Sequence, residues 1–131
     1  MISIKQSVID QIVVHARHDL PNEACGYLAG NEGVATHSYQ LTNIDHSPEH
    51  FSFDPAEQFQ TVRNARNKGL QILANYHSHP ATPARPSAED IRLAYDPEIS
   101  YLIISLANNQ IDVKSFRIKD SIAEKEEISI I

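Results

Sequence analysis

Cys25 is the only cysteine in the 131 residues, so no disulfide can form within the chain and no cysteine-based zinc knuckle is available. Any metal must then be held by histidine and carboxylate. Basic residues are also scarce: 11 Lys and Arg against 17 Asp and Glu give a formal net charge of -6. They are scattered, forming no basic stripe that could release counterions from a phosphate backbone, so nucleic acid is not expected as a partner. Long apolar runs are missing too. Stretches such as Ile12 to Val14 and Leu102 to Ile104 fall far short of the ~20 residues that a spanning helix needs, so no membrane association is expected. Ser3, Lys5, Gln6, Ser7, Asp10 and Gln11 interrupt the N-terminal segment, which leaves no apolar core for a signal peptide and predicts a cytoplasmic protein. There is no internal repeat and no low-complexity segment.

What is present is ordinary for a soluble folded chain: 41% hydrophobic and 21% charged residues. The length predicts one domain over residues 1–131, with a single core. Ile4, Val8, Ile9, Ile12 and Val13 recur at helical spacing, which predicts a helix over 4–19 that stops before Pro21. Cys25 to Ala29 and Val34 to Leu41, separated by Gly30 and Gly33, read as a hairpin. Thr42 to His50 has no period and reads as a surface loop, a candidate substrate-contacting segment. Phe51 and Phe53 alternate as a brief strand. Asp54-Pro55 then caps a helix over about 55–68, ended by Gly69. Leu70 to Tyr76 fits a strand buried on both faces. After Pro80, Pro83 and Pro86, Ser87 opens a short helix to about Tyr95. Strands Tyr101 to Leu106 and Ile111 to Ile118 follow, and Ile128 to Ile131 forms an edge strand. The mixed order predicts an α/β (α+β) sandwich, a mixed β-sheet flanked by helices.

The chemistry is concentrated at the end of the 70–76 strand. In His77-Ser78-His79-Pro80 two imidazoles stand at i and i+2, and in extended backbone such side chains project to one face. The rise between them is ~6.6 Å, which two rings converging on a metal at ~2.0 to 2.1 Å per bond can span. Asp90, in the first turn of the helix opened by Ser87, can be folded back by the proline-bearing loop as a third ligand. Three protein ligands leave a fourth position for water, the arrangement of a catalytic zinc; one such ion brings the pKa of its water toward ~7. A base that is not itself a ligand is then required. Glu23, just before the Cys25 to Ala29 strand, is the candidate.

Each residue has a plainer reading. Ser87-x-x-Asp90 has the spacing of a helix N-cap with an acidic partner, His-x-His is more often surface or core histidine, and one Glu before a strand is ordinary surface charge. Cys25 reads as a small buried hydrophobe with no nearby Lys or Arg to activate it. His15, His18, His37, His46 and His50 share no spacing with the motif and read as structural.

Taken together, Glu23, His77-Ser78-His79-Pro80 and Ser87-Ala88-Glu89-Asp90 resemble the signature of the JAMM (MPN-plus) zinc metalloprotease family: a glutamate near the start, His-x-His-Pro, then Ser-x-x-Asp. The run Glu23-Ala24-Cys25-Gly26-Tyr27-Leu28 resembles that family's first strand. The resemblance implies an MPN-like (cytidine deaminase-like) fold, zinc on His77, His79 and Asp90, and Glu23 as general acid/base. It also implies that Ser87 donates to the oxyanion of the tetrahedral intermediate, while Ser78 supports the site without reacting. The chain is similar to the compact prokaryotic members rather than to deubiquitinases with extra domains. That likeness implies cleavage after the C-terminal glycine of a small ubiquitin-like or sulfur-carrier protein, a cysteine adduct being one candidate, with the tail lying along a sheet edge.

Two other readings share the motif. A RadC-type domain associated with DNA repair has the same spacing, against which stand the Glu23 to Leu28 run and the acidic balance. A non-enzymatic MPN scaffold would keep the fold, but such members lack ligands and none is missing here.

Overall fold

A computed structural model describes residues 1–131. Ile2–Ile4 forms β1, followed by α1 (Gln6–His18), β2 (Cys25–Asn31), β3 (Val34–Leu41), α2 (Pro55–Asn67) and β4 (Gln71–His79). After these come α3 (Ala88–Arg92), β5 (Ser100–Ser105), β6 (Asp112–Lys119), β7 (Ile122–Glu126) and β8 (Ile128–Ile130). All eight strands join one mixed sheet in the order β7-β6-β5-β4-β2-β3-β1-β8. The predicted α+β class, a mixed sheet flanked by helices, is what the chain adopts.

Helix α1 covers one face. Its buried positions Val8, Ile9, Ile12 and Ala16 meet Leu28, Ala74, Tyr76, Leu102 and Ile104, the residues that β2, β4 and β5 turn to that side. The alternate residues face the other way. Cys25, Tyr27 and Leu41 meet Val62 of α2 together with Phe51 and Phe53, while Tyr101, Ile103, Phe116 and Ile118 meet Ile91 of α3. Asp54 caps α2 by accepting from the Ala56 amide at 3.0 Å, and the helix stops before Gly69, whose φ of 72° suits glycine. No helix is long and apolar enough to cross a membrane.

Several boundaries depart from the sequence reading. Ile4 belongs to β1 rather than to the first helix, because Ile2 and Ile4 bury as an alternating pair while β1 runs parallel to β3 and β8. Phe53 forms only an isolated bridge to Asn43. The third helix ends at Arg92, and β4 runs three residues beyond the predicted Tyr76, so the histidine motif lies inside a central strand. β7 was not anticipated. Its turn from β6 is made by Asp120 and Ser121, both at positive φ, without the glycine that usually signals such a turn.

Gly26 is where β2 can tolerate no side chain. A Cβ there would overlap the Tyr39 carbonyl oxygen on one side and the Tyr76 ring on the other. Gly26→Ala is expected to destabilise the fold by about 1–3 kcal/mol, the usual range for overpacking. Urea denaturation showing unchanged stability would contradict this close packing.

Candidate metal centre

Strand pairing assembles the site. β4 is interior, with β2 antiparallel on one side and β5 parallel on the other. Cys25 pairs with His77. Continuing that register sets Ala24 beside Ser78 and Glu23 beside His79, and two hydrogen bonds lock it: Ser78 N–H to Ala24 O at 3.0 Å, and Ala24 N–H to Ser78 Oγ at 2.8 Å. Ser78 is therefore a latch between strands. His77, His79 and Glu23 are all buried, and by alternation the two histidines leave β4 on the α2/α3 side.

The loop after β4 folds back as its prolines suggested. Ser105 Oγ–H donates to Thr82 O at 2.6 Å, and His79 Nδ1–H donates to Pro83 O at 2.8 Å. The second bond matters chemically. A neutral imidazole has one N–H; with that proton on Nδ1, the Nε2 of His79 carries a bare lone pair. Two other atoms crowd it: His77 Nε2 at 3.1 Å and Asp90 Oδ2 at 3.1 Å, themselves 3.1 Å apart. Acceptors facing each other at this range repel unless a proton or a metal cation lies between them. Zinc fits. In a tetrahedral site with ~2.05 Å bonds, neighbouring ligand atoms stand about 3.3 Å apart, close to the triangle seen here.

Asp90 makes the capping box of the plainer reading and also faces the two histidines. Ser87 Oγ accepts from the Asp90 amide at 3.0 Å, and the Ser87 amide donates to Asp90 Oδ2 at 2.9 Å, forming a capping box. The oxygen that closes the box is the one that faces both histidines. Burial alone would raise the Asp90 pKa, but the His77 and His79 rings that face its carboxylate, with the Ser87 amide, hold it far below the ordinary carboxylate range. Burial likewise opposes the protonated form of His79, yet the bonds to Asp90 and Pro83 outweigh this and raise its pKa.

Glu23 is 4% exposed and its Oε1 has no hydrogen-bond partner. Burial pushes its carboxyl up to about 8; His79 opposes the shift, and Asp90, Glu89 and Glu49 add to it. A carboxyl held near neutrality in a buried cleft is a candidate proton-transfer group. Cys25 is fully buried and its thiol is pushed up to about 12, chiefly by burial, so it is inert, as the absence of basic neighbours suggested. His15 is a buried core histidine, bonded to the Tyr76 hydroxyl at 2.7 Å and to Asp19 at 3.1 Å.

An apolar groove of about 650 Å³ opens beside His77 and Asp90, walled by Tyr27, Phe51, Phe53, Tyr95 and Tyr101. The expected sheet edge is not there: both edge strands, β7 and β8, are separated from β4 by at least two others. Two residues that the sequence did not mark also shape the site. Phe51 stacks on the His77 ring, with centroids 4.7 Å apart and planes at 25°, while Asn43 bonds the Glu23 carbonyl at 3.0 Å. Both lie in or beside an aperiodic loop, where spacing carries no signal. His50, read as structural, approaches Glu89 at 3.3 Å and ties this loop to α3.

Residues 5–119 match the family of prokaryotic homologs of the JAB domain. The chain is similar to the CysO-cysteine peptidase of Mycobacterium tuberculosis, 33% identical over 134 residues that span 100% of this chain and 92% of that one. It is similar to the desampylase of Haloferax volcanii, at 32% identity over 79% of this chain and 80% of the relative. The solution structure of a Desulfitobacterium hafniense protein superposes with a TM-score of 0.92 at 50% identity, covering 100% of this chain and 93% of that one. With the histidine pair, the capping-box aspartate and Glu23 in place, the chain belongs to the prokaryotic JAB-domain family, that is, to the JAMM (MPN-plus) hydrolases whose residue pattern it carries.

Proposed function

We propose that the chain is a zinc-dependent peptidase or isopeptidase that cleaves the amide bond after the C-terminal glycine of a small ubiquitin-like or sulfur-carrier protein, the cysteine adduct of such a carrier being one substrate. The observation that carries this reading is the triangle of His77 Nε2, His79 Nε2 and Asp90 Oδ2 at 3.1 Å with a buried, unpartnered carboxylate next to it. The names of the relatives supply the substrate class: one acts on a CysO-cysteine conjugate and another is a desampylase.

His77, His79 and Asp90 would hold one zinc ion. Bound there, zinc supplies Lewis acidity toward the scissile carbonyl and lowers the pKa of a water toward ~7. Glu23 takes the proton from the attacking water and returns it to the leaving amine. Its position suits this double task, because the carboxyl is buried with Oε1 unpartnered, and a group not committed to another hydrogen bond can accept a proton and pass it on. The Ser87 hydroxyl accepts the Asp90 amide and keeps its own O–H free to donate to the oxyanion. The substrate tail lies in the apolar groove beside His77 instead of along a sheet edge.

The test is hydrolysis of a sulfur-carrier protein joined through its C-terminal glycine to cysteine. Protein loaded with one zinc per chain is expected to release the intact carrier, and chelator-treated protein is expected not to. Binding without cleavage at full zinc occupancy would instead mark a scaffold. Salt-dependent DNA affinity would favour the RadC-type reading.

A further inference from the structure

We infer that Asn43 is a positioning residue for the reaction, holding Glu23 in register with the histidine pair through the loop that joins β3 to α2. The inference rests on the functional reading above, but a different set of atoms carries it. The Asn43 side chain is buried, and both ends of its amide are committed. Nδ2 donates to Glu23 O at 3.0 Å and to His50 O at 2.9 Å, with Ser47 O at 3.5 Å. Oδ1 accepts from the amides of Asp45 at 3.0 Å and Ser52 at 3.3 Å. Only this orientation satisfies the network, since reversing the amide would set oxygen against carbonyls and NH₂ against N–H groups.

Glu23 needs such a support. It precedes β2, and the pairing that fixes Cys25 against His77 extends only as far as the hydrogen bonds between Ala24 and Ser78, one residue short of it. Its carboxylate offers no anchor, because Oε1 has no partner. Its backbone is instead held by the loop: the Glu23 amide donates to Ser47 O at 2.9 Å, and its carbonyl accepts from Asn43. Asn43 also gathers the backbone of residues 45–52 around itself, so one side chain sets both the loop's shape and the loop's grip on Glu23. A shift of about 1 Å in a reacting group can cost on the order of 100-fold in rate, which makes such a clamp catalytically significant.

Asn43→Asp is the informative variant. It keeps the acceptors for Asp45 and Ser52 and removes the donors to Glu23 and His50. With the zinc-loaded protein and the carrier-cysteine conjugate, kcat is expected to fall about 10- to 100-fold, with KM and zinc affinity, read by chelator competition, changing less than about 3-fold. In a Glu23→Gln background the same substitution is expected to change kcat less than about 2-fold, because two residues acting through one another are not additive. Amide hydrogen exchange supplies a readout independent of activity: Glu23 N–H should exchange faster in Asn43→Asp, while His77 and Ser78 remain protected. If Asn43→Asp does not fold, Asn43→Ser is measured in the same way. Equal losses in both backgrounds, zinc affinity falling in step with rate, or unchanged exchange at Glu23 would overturn the inference. No hydrolysis by the wild type with faster Glu23 exchange in the variant would leave Asn43's hold on Glu23 standing and reject the functional reading instead.

Discussion

His77→Ala is expected to yield a protein that retains no stoichiometric zinc and hydrolyses no carrier conjugate above background, even with zinc added in excess. Three donors converge on one point, and the Asp90 side chain, 14% exposed, is the least buried of them. Two remaining donors make a chelate too weak to compete with buffer, because the lost ligand removes one of only three protein bonds to the ion. The fold should survive. Removing the ring costs the stacking on Phe51 but leaves the strand pairing of β4 with β2 and β5 in place. Metal analysis after gel filtration, with a thermal melt as control, decides the matter. A folded variant with one zinc per chain and the wild-type rate would remove His77 from the site.

Glu23→Gln separates proton transfer from metal binding. Zinc content is expected to be unchanged, since Glu23 is not in the triangle, while kcat falls by about 10² to 10⁴, the usual cost of losing a general acid/base. An unaltered rate would take Glu23 out of the mechanism. The same substitution tests the electrostatics of the metal-free protein. The Glu23 carboxyl lies at about 8 in the folded chain against an ordinary 4.5. Below about pH 4.5 it is protonated in both states and costs no stability. Between about 4.5 and 8 the unfolded chain ionises while the folded chain keeps its proton, so stability drains away as pH rises, and the loss is complete above 8. Glutamine has no such dependence. Metal-free Glu23→Gln should therefore melt higher than metal-free wild type at pH 8, by several degrees, and close to it at pH 4.5. Equal melting temperatures at pH 8 would mean that the carboxylate is solvated.

The local parts of this site were legible because their periods are local. Two histidines at i and i+2 share a face in any extended strand, and Ser87-x-x-Asp90 makes its capping box from four consecutive residues. The plain reading and the chemical one are compatible in a single arrangement, since the Asp90 oxygen that closes the box is the oxygen turned to the histidines. By contrast, β1 was hidden because Ile4 fits a helical stripe as well as an alternating strand, and only its pairing with β3 and β8 decides between them.

Donor types, their spacing, and the exclusion of cysteine ligands were written in the order of residues alone. Whether Glu23 reaches His79 was not, because that depends on the register of β2 against β4, a pairing across more than fifty residues. The clamp by Asn43 and the stacking of Phe51 on His77 arise from a loop without period. Side chains brought together by chain closure leave no trace in local spacing, so only the folded structure could bring them into view.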